Sequence, residues 1–70
     1  MIRQDDYVLV QGEGTEVFIV IGVNNNAVLL DNGISEPIDK CTAIPDKYRN
    51  DVYAVISNYL PAEIVKRILK

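Results

Sequence analysis

The chain has 70 residues and a mass of 7.8 kDa, which is room for one domain and no second. Apolar residues make up 49% and charged residues 24%, a balance that excludes the apolar-poor, highly charged class that stays disordered. Seven basic against ten acidic side chains leave a net charge of −3, and histidine is absent; this is opposite to the footprint of a duplex-binding protein and removes the commonest general base and metal ligand.

Residues 7–11, 16–23 and 27–30 are rich in Val, Ile, Leu and aromatics and are separated by Gly12-Glu13-Gly14-Thr15 and Asn24-Asn25-Asn26. Such residues, broken by clusters that tolerate positive φ, predict short antiparallel strands joined as two hairpins. Asp31-Asn32-Gly33 is a further turn signal. Residues 34–38 then read as a fourth strand, with Pro37 suited to an edge, and Thr42-Ala43-Ile44 as a fifth. After Pro45, Asp46 caps a predicted helix whose apolar positions Tyr48, Val52, Val55, Ile56 and Tyr59 recur at spacings of three and four. Pro61 suits the first turn of a second helix over residues 61–69, apolar at Ile64, Val65, Ile68 and Leu69. Lys66, Arg67 and Lys70 complement the negative end of that helix. The expected architecture is a single domain over residues 1–70, mainly β with C-terminal α. A five-stranded barrel spans residues 1–45, and a tail of one or two helices over residues 46–70 packs on it.

Side chains two apart in a strand share a face, and here both faces are apolar. One set is Val8, Val10, Val17, Ile19, Ile21, Val23, Val28 and Leu30; the other is Tyr7, Leu9, Phe18, Val20, Ala27 and Leu29. A lone small barrel needs only the first inside, and soluble monomers seldom keep a second apolar face bare. The stripe Tyr48, Val52, Val55, Ile56 and Tyr59 is expected to cover it, within one chain or across a homodimer.

Charge is unevenly spread. Through Pro45, two basic side chains face seven acidic ones, a net of −5, whereas from Asp46 onward five basic face three acidic, a net of +2. The lone Cys41 makes no intramolecular disulfide, and Met1-Ile2-Arg3-Gln4-Asp5-Asp6 lacks the basic start and apolar stretch of a secretion signal. The longest apolar run, residues 17–23, is far shorter than the roughly 20 residues that span a bilayer. These features predict a cytoplasmic protein without membrane contact.

No motif assigns a catalytic, cofactor-binding or metal-binding residue. Gly12-Glu13-Gly14 precedes a strand, whereas a phosphate-cradling loop needs a following helix. Asp31-Asn32-Gly33 with Glu36 is out of register for a calcium loop, and Cys41 lacks a histidine partner. The candidate partner-binding residues are two groups. Tyr7, Phe18 and Tyr48 offer aromatic faces to a cation, or pack in the core. Lys66, Arg67 and Lys70 form a cluster for phosphates or an acidic partner, or a solvated helix end.

Asp6-Tyr7-Val8-Leu9-Val10, a Gly-containing loop, residues 17–23, residues 27–30, Asp31-Asn32-Gly33 and residues 36–44 together resemble a small Src-homology-3-like barrel, with the KOW and Tudor-like members nearest. The resemblance covers residues 5–45 and rests on strand spacing and turn types. It implies a binding module. Glu16 to Val23 followed by Val28 and Leu30 is also similar to the central strands of the carbon storage regulator family of RNA-binding dimers. The expected function is a small non-enzymatic interaction module that modulates a protein partner. The alternative is a nucleic-acid-binding regulator using Lys66, Arg67, Lys70 and Arg49, which the acidic barrel disfavours.

Overall fold

The structure, a computed structural model, describes residues 2–54 and 58–69. Strands β1 (Tyr7–Val10), β2 (Val17–Val23), β3 (Ala27–Leu30), β4 (Ser35–Pro37) and β5 (Cys41–Ala43) form one antiparallel sheet in the order β4-β3-β2-β1-β5. The fold is mainly β with a C-terminal helix, α1 (Ala62–Leu69). The first four strands run as a meander, and a 3-10 turn at Ile38–Lys40 carries the chain from β4 to β5 on the far side of β1. The expected closed barrel is an open sheet instead, because β4 and β5 are its two edges and share no ladder. Pro37 ends β4 without an N–H to give, and the next three residues are taken up by the 3-10 turn.

Side-chain capping makes the turns where the sequence places them. The Asn24 Oδ1 accepts from the amides of Asn26 at 2.9 Å and Ala27 at 2.7 Å, an Asx turn that starts β3. At the next turn Gly33 has φ +84, a left-handed conformation that glycine adopts without cost, and Asn32 Oδ1 accepts from the Ile34 amide at 2.9 Å. Asp31 continues the pairing beyond β3: its amide donates to the Ile19 carbonyl at 3.0 Å, and its carboxylate accepts from the Ile19 amide at 3.2 Å.

The register corrects the predicted faces. Val8 lies opposite Phe18 and Leu9 opposite Val17, and directly opposed residues share a face. Phe18 and Val20 therefore join Val8, Val10, Val28 and Leu30 in one buried cluster, with Ile2, Ile38 and Cys41 packed against it. Val17 belongs with Leu9 on the other face. Alternation fixes faces within a strand, whereas the phase between strands follows from the connection and from irregularities such as the register shift between Val20 and Gly22.

The tail also departs from expectation. Residues Asp46–Asp51 form a 3-10 turn in place of an α-helix, followed by a hairpin of β6 (Tyr53–Ala54) and β7 (Asn58–Tyr59). Asp46 lies inside the turn with Pro45 as its cap residue and no side-chain cap bond, so a helix start lacks its usual anchor. β-Branched and aromatic residues at 52 and 53 favour the extended chain beyond it. Glu16 bridges Tyr59, and the Leu60 amide donates to the Thr15 carbonyl at 2.9 Å, which ties the tail to the start of β2. Pro61 then precedes α1, as the sequence predicts.

Residues of the tail cover the second sheet face. Leu9, Val17, Ile44 and Leu60 form its buried cluster, against which Tyr7, Tyr48, Val52, Ile64, Val65 and Ile68 pack. Of the predicted stripe, Tyr48 and Val52 take part, and Val55 and Ile56 lie outside the described residues. Tyr59 is 39% exposed and pairs through its backbone. Leu60 and the inner side of α1 supply the rest.

Candidate binding groove

The three candidate aromatics do not converge. Phe18 is buried in the Val8–Val20 cluster on one sheet face, and Tyr7 and Tyr48 pack on the opposite face. Each tyrosine already meets a cation of this chain. The Arg49 guanidinium lies 4.3 Å from the Tyr7 ring centroid and Nη2 donates to the Asp5 carbonyl at 3.4 Å, and Lys47 Nζ lies 5.1 Å from the Tyr48 centroid. The Arg49–Tyr7 contact fastens the 3-10 turn to β1 by cation–π attraction, whereas Lys47 and Tyr48 are neighbours within the turn. Both contacts occupy ring faces that an external cation would need.

The basic candidates sit on α1, where Lys66 and Arg67 are both exposed in its last turn, and Lys70 lies outside the described residues. Lys66 borders a groove of about 520 Å³ between α1 and the β1–β5 side of the sheet. Leu9 and Val10 of β1 and Thr42 of β5 line one wall, continued by Gln11, Gly12, Gly14 and Thr15 in the first hairpin loop and by Asp39 and Lys40. Ala62, Val65, Lys66 and Leu69 of α1 line the other.

That second wall has a geometric origin. Positions i, i+3, i+4 and i+7 of a helix share one side, and Ala62, Val65, Lys66 and Leu69 stand at that spacing. Ile64 and Ile68 point to the neighbouring side, which packs on the Leu9–Leu60 cluster, and Val65 serves both. Docking of α1 by one side thus leaves a second, mostly apolar side facing open space, and Leu69 on it is 52% exposed. Among the described residues, Lys66 is the one sequence candidate that the structure places in this groove. Ala62 and Leu69 join it through their helical spacing, and Lys40 through the strand ends that the helix reaches.

Cys41, on β5, is half-buried, and its Sγ donates to the Pro37 carbonyl at 3.5 Å. Burial first, then the negative charges of Glu36 and Asp39, push its pKa up from the ordinary 9.0, which holds it as the less nucleophilic thiol. Among the described residues no three His, Cys, Asp or Glu side chains are grouped to hold a metal ion, and no helix is long and apolar enough to cross a membrane. Compared with known protein families, with curated proteins and with solved structures, the chain matches none.

Proposed function

We propose that this protein is a small, non-enzymatic, cytoplasmic interaction module that modulates a protein partner, and that the partner seats apolar side chains in the groove beside α1. The observation that carries this reading is the groove itself. Its volume of about 520 Å³ falls within the roughly 300–1,000 Å³ of typical ligand-binding clefts. Its walls are mostly apolar, and Leu69 is left half-exposed at its edge. A chain that buries ten apolar residues among the described ones while leaving such a surface open has a place for another molecule. The antiparallel meander with β5 returned to β1 also supports a Src-homology-3-like reading, a class that usually serves binding. A single unpaired thiol suits a reducing compartment.

The test is affinity capture from the native cell with the wild-type chain and with Leu69→Glu, followed by reconstitution from purified components. Leu69 is exposed, so the variant keeps the fold, checked by circular dichroism. A protein that binds the wild-type chain, is lost with Leu69→Glu, and protects α1 amides from exchange in the purified complex is the expected result. Fluorescence anisotropy with labelled single- and double-stranded DNA and RNA provides the opposing arm. Sub-micromolar, salt-sensitive binding abolished when Lys66, Arg67 and Lys70 are changed to Gln would replace this reading with a nucleic-acid-binding regulator.

A further inference from the structure

We infer that the partner segment received by the groove is acidic as well as apolar: large aliphatic or aromatic side chains flanked by Asp or Glu. This rests on the reading of the groove as a protein-binding site, and it runs against the net charge. A chain of net −3, with −5 concentrated before Asp46, favours a basic partner by long-range attraction. At the groove the sign reverses, because Lys40 enters from the sheet side and Lys66 from α1, against Asp39 alone.

These two lysines are also uncommitted. Lys47 and Arg49 each lie over a tyrosine ring, whereas Lys40 and Lys66 have no ion pair or ring contact among the described residues. Both are exposed, so a partner carboxylate reaches them without the cost of desolvating a buried charge. Charges at the rim of an apolar contact steer encounter and reject like-charged competitors more than they add affinity. Lys40 and Lys66 therefore act as specificity residues, and the apolar walls supply the binding energy.

The same charges argue against the α1 helix of a second copy of this chain as the occupant. The exposed apolar residue that its helix would offer is Leu69, which is flanked in sequence by Lys66, Arg67 and Lys70. Seating it would bring like charges to Lys40 and Lys66.

The experiment uses the full chain and a displayed library of peptides in which spaced Leu, Ile, Phe and Val positions are fixed in character and the flanking positions are random. The expected outcome is enrichment of Asp and Glu at the flanks. An enriched peptide should bind the wild-type chain, and at low salt should lose about tenfold or more in affinity to Lys40→Glu/Lys66→Glu. Binding to that double variant should be recovered when the peptide's flanking acids are changed to Lys, which no general loss of fold would permit. Enrichment of Lys or Arg, or of apolar peptides whose affinity ignores the double variant but is lost with Leu69→Glu, would overturn the acidic partner and leave the groove as the binding site. Failure to enrich any peptide sensitive to Leu69→Glu would overturn both.

Discussion

Leu60→Ala tests how the tail holds the outer face of the sheet. Leu60 is 1% exposed and completes a cluster with Leu9, Val17 and Ile44. Removing its isopropyl end takes away buried apolar surface and leaves a cavity that the fixed backbone fills only in part, a combined loss of about 2–5 kcal/mol. Relaxation is restricted on one side by β1 and β2, which lie inside the sheet, and on the other by the bond from the Leu60 amide to the Thr15 carbonyl. A domain of 70 residues has a total stability of roughly 3.5–10 kcal/mol, so this one substitution removes a large share of it.

The assay is thermal and urea unfolding followed by circular dichroism. At about 4–8 °C per kcal/mol for a domain of this size, a loss of about 3 kcal/mol lowers Tm by roughly 12–24 °C. Leu69→Ala is the matched control, because Leu69 is 52% exposed and such substitutions usually stay within about 0.5 kcal/mol. A Leu60→Ala protein within about 3 °C of the wild-type Tm, or a Leu69→Ala protein destabilised equally, would refute the packing described for the tail.

Truncation after Pro45 removes Tyr48, Val52, Leu60, Ile64, Val65 and Ile68 from the outer face together; with large buried side chains worth about 1.5–3 kcal/mol each, the remaining sheet should unfold or aggregate, and a soluble monomer of unchanged Tm would contradict this. Gly33→Ala should cost about 1 kcal/mol from the positive φ of +84 alone, since the added methyl meets nothing within 4 Å; urea midpoints measure it, and an unchanged midpoint would show that the turn does not hold this conformation. For Cys41 the folded pKa is raised above 9.0, so as pH rises the unfolded chain gives up its proton first. The contribution to stability is complete below 9.0 and declines above it until the folded thiol ionises as well. Comparing urea midpoints of the wild-type chain and Cys41→Ser at about pH 7 and about pH 10 isolates this effect; an equal alkaline loss in both proteins would exclude the thiol as its source.

Strands β1, β2 and β3 are legible because their β-branched and large apolar residues are bounded by turn residues whose chemistry the structure uses, as at Asn24, Asn32 and Gly33, whereas β4, which has no β-branched residue, is legible from the turn before it. The helix after Pro61 is legible for a similar reason, since proline opens it and Ile64, Val65 and Ile68 repeat at helical spacing. The phase between β1 and β2 is not legible, because Val17 and Phe18 are both apolar and either could face Val8. A strand with polar residues on one side would have declared its register; this one is apolar on both. The stretch from Asp46 misleads for a related reason. Tyr48, Val52, Val55, Ile56 and Tyr59 satisfy a helical period, yet their β propensity favours extension, and docking at Thr15 and Glu16, just before β2, selects the pairing of β6 with β7. Lys66 is legible as a binding candidate from the charge at the helix end. Lys40 is not, because its place in the groove depends on which strand ends α1 reaches.

Stability and recognition meet in α1. Ile64 and Ile68 hold it to the sheet, Ala62 and Leu69 face the groove, and Val65 belongs to both surfaces. A helix of eight residues is too short to persist by itself in water, where isolated helices below about 12–15 residues are marginal, so the α1 wall of the groove exists only while the tail is docked. A partner that binds only this docked form stabilises it by mass action, by about 2.7 kcal/mol at a hundredfold excess over Kd. That is comparable to the roughly 2–5 kcal/mol lost on removing the Leu60 side chain. The tail is therefore both the cover of the outer face and the element whose docking a bound partner would reinforce.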